Sequence, residues 1–152
     1  MMLFKNHVLL GIAFFLLLKD LLPGGNEVVF FLMVLLGSIF PDIDERESKM
    51  NQWSGLPGRI VAFFFPHRGL FHSLLLAVLL SALLAFYWNS HYALGLFIGY
   101  LSHLAGDAVT LAGVRPLYPF SKQRIRGPLR VGGIWEKVVY LLLIILIVRE
   151  FV

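Results

Sequence analysis

The sequence predicts an all-α fold, a polytopic membrane bundle of about five helices, the number of long apolar segments the chain carries. Three observations lead there. The 152 residues are 59% hydrophobic and 14% charged, against about 45–50% and about 25% in soluble domains. The mean hydropathy is +0.81. The apolar residues are also gathered into runs, and the chemically versatile side chains cluster between those runs. The length suits a single membrane-embedded domain, residues 1–152, without room for a second.

The first apolar run covers residues 8–22, is interrupted by Lys19 and Asp20, and ends at the turn Pro23-Gly24-Gly25. A secretory signal fits it poorly, because no small-residue cleavage site follows and a second apolar run begins at once. That second run covers 28–40 and stops at Pro41. The third spans 69–88, the fourth 92–114, and the fifth runs from Trp135 to the C-terminus. A crossing helix needs about 20 apolar residues, so the last three qualify more comfortably than the first two. The first two suit a short hairpin that dips and returns, a tilted pair, or burial by neighbours. In the fourth, Gly95-x-x-x-Gly99 has the spacing that lets two backbones approach closely.

There is no cysteine, which excludes disulfides, thiolate ligands and a thiol nucleophile. Any metal must be held by imidazole, carboxylate and water. The net charge of +4 reads as membrane orientation and contact with anionic lipid, and no nucleic-acid partner is expected.

Out-and-back topology sorts the side chains. His7 precedes the first run; Asp42 and Asp44 follow the second; His67 and His72 open the third; His103 and Asp107 lie late in the fourth; Glu136 opens the fifth. All of these fall at one face, whereas His91, between the third and fourth runs, falls at the other. Every Lys and Arg except Lys19 and Arg149 shares the first face. Basic excess marks the cytoplasmic side, so the site is expected to face the cytoplasm from a multi-pass inner-membrane protein.

The chemistry follows from spacing. In Pro41-Asp42-Ile43-Asp44, carboxylates at i and i+2 of an extended segment point the same way and could serve paired metal ions. The alternative is a solvated helix end, although carboxylates at a helix C-terminus oppose its dipole unless a cation compensates. His67-Arg68-Gly69-Leu70-Phe71-His72 places two imidazoles and a guanidinium at the mouth of an apolar helix, where they are costly unless paired or ligating. His103 and Asp107, four apart, share one helix face and can grip one ion; a buried His–Asp hydrogen bond is the alternative. His7 and Glu136 are weaker candidates, supported by their shared side. Such a set suits two divalent ions, with Zn expected first and Mn or Fe(II) also compatible. Hydrolysis is the natural reaction class, with Asp44 and Asp107 as candidate catalytic carboxylates.

The ordered motifs His7-x-x-x-Gly11, P-D-I-D at 41–44, H-R-G-L-F-H-S at 67–73 and G-Y-L-S-H-L-A-G-D-A-V-T-L-A-G-V-R-P-L-Y-P at 99–119 resemble the YdjM-like family of membrane-bound, metal-dependent hydrolases. The stretch S-K-Q-R-I-R-G-P-L at 121–129, Gly132-Gly133 and Glu136 continue the likeness over nearly the whole chain. The resemblance implies His7, Asp42, Asp44, His67, His72, His103, Asp107 and Glu136 as the metal set. Two positions depart from the family pattern: Glu45, where a His often follows the P-D-I-D, and Phe71, where a Thr often precedes the second His. The His/Asp/Glu set is also distantly similar to zinc-dependent phospholipases C.

Between the last two runs, Arg124 and Arg126 flank Ile125. In an extended loop both can project together, and guanidinium forks suit phosphate. With Arg68 they are the candidate substrate-binding residues; the alternative for the loop is an orientation signal lying on anionic lipid. The expectation is a membrane-embedded hydrolase cleaving a phosphoester of a lipid or amphiphile, with membrane lipids as its other partners. A metal-ion transporter and a non-catalytic metal-stabilised membrane protein are the rivals. A transporter would spread its ligands across the midplane rather than collect them at one face.

Overall fold

A computed structural model of the chain describes residues 3–22 and 24–150. Pro23, the first residue of the expected turn, and residues 151–152 of the fifth run lie outside the described residues. Each apolar run contains one long helix: α1 (Phe4–Leu18), α2 (Glu27–Ile39), α5 (Leu74–Tyr87), α6 (Ser90–Ala108) and α7 (Ile134–Arg149). Two short helices, α3 (Lys49–Ser54) and α4 (Leu56–Phe64), fill the connection between α2 and α5, where no helix was expected. Among the described residues the fold is all-α, with two isolated β-bridges and no named strand.

Local chemistry starts these helices. Asn26 accepts from Val29 N at 3.1 Å, Ser73 from Leu76 N at 3.3 Å, and Asn89 from His91 N and Tyr92 N at 2.8 and 3.2 Å. Each side-chain oxygen satisfies backbone donors that a helix start leaves without partners.

Helix α6 is the central element, packing against α1, α2 and α5. Helices α2 and α6 run parallel, since Phe30 meets Gly95, Val34 meets Gly99 and Gly37 meets Leu96 and Tyr100 in ascending order. A Cβ at Gly37 or Gly99 would overlap the backbone of the opposite helix. The Gly95-x-x-x-Gly99 spacing is therefore a packing motif. Helix α1 runs antiparallel to α2, with Phe15 on Phe30 near one end and Gly11 on Ser38 near the other. The first two runs thus form an antiparallel helix pair. Phe15, Phe30, Val34 and Ile98 form one core, and Ala77, Tyr100, Leu104 and Val114 a second nearer the His/Asp face.

The expectation that runs three to five each supply a full crossing is not met. Among the described residues no helix is long and apolar enough to cross a membrane. The third run spends its first residues on a tight 3-10 turn, Leu70–His72, so α5 has only 14 residues. In the fourth, α6 has 19 residues and stops at Ala108. Beyond it Val114 pairs with Ile125, both N–H···O distances being 2.9 Å.

Candidate metal centre

The site begins with glycine. At Gly11, one turn after His7, a Cβ would lie 2.7 Å from the Cβ of Ser38. Its absence lets α1 close on α2 and lays the His7 ring over that of His103, 3.9 Å between centroids and 13° from parallel. Ser38 contributes its backbone carbonyl, which accepts from His103 Nδ1 at 2.8 Å. A carbonyl cannot donate, so the Nδ1 of His103 carries the proton and Nε2 presents a lone pair.

Asp42 and Asp44 lie in a 3-10 turn, Phe40–Asp44, rather than in the extended segment expected. Pro41 at its second position, with its fixed φ, favours that turn. Residues i and i+2 of such a turn do not share a face, and the two carboxylates meet opposite nitrogens of His72, Asp44 at Nδ1 and Asp42 at Nε2. Asp44 Oδ1 meets His67 Nδ1 at 2.7 Å and Asp44 Oδ2 meets His72 Nδ1 at 3.2 Å. Burial alone would raise the Asp44 pKa, but these two imidazoles hold the carboxyl below the usual carboxylate range. An ionised carboxylate only accepts, so both Nδ1 atoms donate; His67 Nε2 then accepts from Arg68 Nε at 3.4 Å, and the neutral His72 ring has its Nε2 bare. Asp44 therefore orients two imidazoles at once.

The bare atoms converge. His72 Nε2 and His103 Nε2 face each other at 3.2 Å. Asp42 Oδ1 stands 3.6 Å from each, and Asp107 Oδ2 stands 3.6 Å from His72 Nε2. These donor separations approach the edge of a tetrahedral site with metal–ligand bonds of about 2.0–2.1 Å, roughly 3.3 Å. Both Asp42 oxygens are buried without a hydrogen-bond partner among the described residues. For Asp42 too, burial pushes the pKa up, and His103, His72 and His7 more than reverse it. Two facing lone pairs beside an ionised, unbonded carboxylate need a positive charge between them. A proton on His72 would supply one, and a divalent cation would serve both rings and Asp42 together.

Around this centre the His/Asp set forms three overlapping groups that could each hold an ion: His7, His103 and Asp107; Asp42, His72 and His103; and Asp44, His67 and His72. His7 Nε2 lies 3.6 Å from Asp107 Oδ1. His7, His72, His103 and Asp107 are wholly buried, and His67 is partly exposed.

Two residues expected at the site take other partners. Glu136 joins none of these groups. Its Oε1 accepts from Leu3 N at 2.9 Å and Asn6 Nδ2 at 2.8 Å, and its Oε2 from Gly132 N at 2.6 Å. It ties the start of α7 to the start of α1, one residue from His7. Arg68, expected to meet substrate, is buried and turned inward. With φ 61°, it sets NH2 3.2 Å from Asp107 Oδ2 and donates from NH1 to the Gly113 carbonyl. Its guanidinium steadies Asp107. Arg124 and Arg126 are both exposed, and Arg124 NH1 donates to the Ala112 carbonyl at 3.1 Å.

Sequence reasoning did not place Asn6 or Ser38 here. It flagged Glu45 only as a departure from pattern, and Glu45 Oε2 lies 3.6 Å from His67 Nε2. Its acidity beside the motif was the available signal. His91 lies at the opposite end of α6, stacked on Phe30 at 4.5 Å, about 18 Å along the helix from His103 at 1.5 Å per residue.

Fold and site together define an all-helical protein with a buried His/Asp constellation able to hold metal. A family model described as YdjM inner membrane protein matches residues 1–151. The chain belongs to that family of inner membrane proteins. It is 31% identical over 138 residues to the uncharacterized protein YvsG of Bacillus subtilis, covering 89% of this chain and 85% of that one. It is also 31% identical over 140 residues to the inner membrane protein YdjM of Escherichia coli, covering 84% and 70%. No solved structure matches it.

Proposed function

We propose that this chain is a membrane-embedded, metal-dependent hydrolase that cleaves a phosphoester of a lipid or amphiphile. The observation that carries the reading is the convergence of His72 Nε2 and His103 Nε2 at 3.2 Å beside the unbonded Asp42 carboxylate. Asp42, His72, His103 and Asp107 would hold one ion, and His7 and His67 stand ready to extend the set to two. Nitrogen and oxygen ligands without sulfur suit Zn first, with Mn and Fe(II) compatible. Such a metal lowers the pKa of a bound water towards neutrality and polarises a phosphoryl oxygen.

The chain's own residues supply the rest. Asp44 fixes the tautomers of His67 and His72, and Ser38 that of His103. Arg68 holds Asp107 in place. The exposed guanidinium groups of Arg124 and Arg126 suit a phosphate headgroup. The partial exposure of His67, alone among the four imidazoles, favours approach from the His67–Glu45 side.

Membrane embedding is supported by the family and by surfaces apolar beyond what water favours. On α7 the exposed residues include Leu141, Leu142, Ile145 and Val148, and on α5 Val78, Leu79, Leu83 and Phe86. A helix apolar all round calls for apolar surroundings. The cytoplasm-facing orientation of the site rests on the basic residues gathered at the His/Asp face.

Complete burial of His7, His72 and His103 favours a second reading, a metal-stabilised membrane protein without turnover. One experiment separates the two: metal-loaded protein in mixed micelles is offered phospholipid and phosphomonoester substrates. Release of phosphate or headgroup, lost on chelation and restored by metal, supports the hydrolase. Firmly bound metal with no turnover on the panel supports the second reading.

A further inference from the structure

Helices α3 and α4, which no part of the proposed chemistry uses, carry a different arrangement. Gly55 joins them with φ 62°, a conformation that favours glycine, so α4 starts at once. On α4, Leu56, Ile60, Phe63 and Phe64 recur at one helix face and are 69%, 49%, 71% and 70% exposed. Trp53 on α3 is 65% exposed. Arg59 lies at the edge of this stripe, three residues after Leu56 and four before Phe63. Beside it opens a cavity of about 500 Å³ lined by Arg46, Asn51, Gln52, Arg59 and Phe63. Among the described residues neither arginine forms an ion pair, and no acidic residue lines the cavity. The pair is bound rigidly to the His/Asp face. Asn51 Nδ2 donates to Ile43 O at 2.6 Å and Gly58 O at 2.7 Å, while the Ser48 hydroxyl donates to Asp42 O at 2.5 Å.

We propose that α3–α4 lies in the plane of the bilayer surface, with Trp53, Leu56, Ile60, Phe63 and Phe64 among the upper acyl chains, and that Arg46 and Arg59 bind the headgroup phosphate of an anionic phospholipid in the adjoining cavity. An amphipathic segment with aromatic and aliphatic anchors on one side and arginine at its edge has the physical make-up of an interfacial element. Two cations without partners, over a cavity without carboxylates, complement a phosphodiester anion held at that depth. The segment need not cross the membrane. The proposal rests on the membrane placement above but not on metal binding or turnover.

The test uses the full chain with Trp88→Phe and Trp135→Phe, leaving Trp53 as the reporter, reconstituted in phosphatidylcholine nanodiscs. Phosphatidylglycerol or phosphatidylcholine brominated near the headgroup is titrated in, and quenching of Trp53 is read. Half-maximal quenching is expected at a mole fraction of phosphatidylglycerol about thirtyfold below that of phosphatidylcholine, the preference that two surface arginines confer. Arg46→Gln with Arg59→Gln should bring the two curves together while metal content stays at the wild-type level. Absence of quenching by either lipid would overturn the placement of α3–α4 in the bilayer. Equal quenching by both in the unsubstituted arginine background would overturn the phosphate site. A preference removed by inorganic phosphate, but not by chloride of matched ionic strength, would assign the cavity to a free anion and overturn it as a lipid site. Metal content measured on the same samples separates any such failure from failure of the metal centre.

Discussion

The imidazoles of His72 and His103 meet nitrogen to nitrogen at 3.2 Å, with Asp42 Oδ1 3.6 Å from each. Each ring has its other nitrogen committed, to Asp44 and to the carbonyl of Ser38. In the neutral rings the two Nε2 lone pairs repel each other, and a proton or a metal ion between them relieves that repulsion. Helix register alone does not demand this approach, since the rings come from different elements, the turn before α5 and the end of α6. Their convergence is a property of the site.

The first prediction concerns metal content. Protein purified without chelator should carry a transition metal, measured by elemental analysis. His103→Ala and His72→Ala should each reduce it to background, and His91→Ala should leave it unchanged, because His91 packs on Phe30 at the far end of α6. Wild-type protein that stays metal-free after incubation with Zn, Mn or Fe(II) would sink the metal reading.

The second concerns Asp44. Asn in its place is nearly isosteric but cannot accept from both imidazoles without its amide group opposing one of them. His67 or His72 must then change tautomer or rotate. Loss of such an orienting partner weakens metal binding by about 10–100-fold. Competition with a chelating dye should show that loss for Asp44→Asn. An unchanged affinity would mean that the carboxylate does not control the tautomers.

The third separates an anchor from a ligand. Glu136→Ala removes the acceptor for Leu3 N, Asn6 Nδ2 and Gly132 N. Leaving the buried Asn6 amide donor unmatched costs about 1–3 kcal/mol, so denaturant unfolding in detergent should show a loss of that order. The folded variant, reconstituted with metal, should bind it at wild-type stoichiometry. A stoichiometric loss of metal with unchanged stability would return Glu136 to the ligand set.

Much of this was legible in the sequence, and the reasons are physical. Runs of apolar residues locate helices because a helix must bury or embed its side chains, and each run holds one. Counting out-and-back connections brought His7, Asp42, Asp44, His67, His72, His103 and Asp107 to one end, because helix direction depends on chain order alone. Helices α3 and α4 were missed because they are 6 and 9 residues long, held by the Ser48 cap and the Gly55 turn rather than by a sustained pattern. The inward turn of Arg68 was hidden because its left-handed backbone is a tertiary outcome. The role of Glu136 was hidden because its partners on α1, Leu3 and Asn6, lie more than 100 residues away. Nor could spacing tell which nitrogen of each imidazole faces the centre, which only the positions of Asp44 and Ser38 decide.

The last prediction concerns Arg124 and Arg126. Val114 and Ile125 exchange backbone hydrogen bonds at 2.9 Å in both directions, and Gly113, next to Val114, accepts from Arg68. The basic loop is thus coupled through one backbone pairing to the residue that steadies Asp107, while its guanidinium groups remain exposed. If those groups hold a substrate phosphate, Arg124→Gln and Arg126→Gln should each lower kcat/KM by about 10–100-fold, the range expected for a hydrogen bond to a charged group. Metal content and the amount of protein in the membrane fraction should not change, because neither side chain supports a ligand. Activity reduced only in proportion to inserted protein would show that the arginines serve orientation instead. A fall in metal content would show that the loop acts through Arg68 and Asp107 rather than on substrate. Measuring all three quantities on the same preparations assigns the loop to one of these roles.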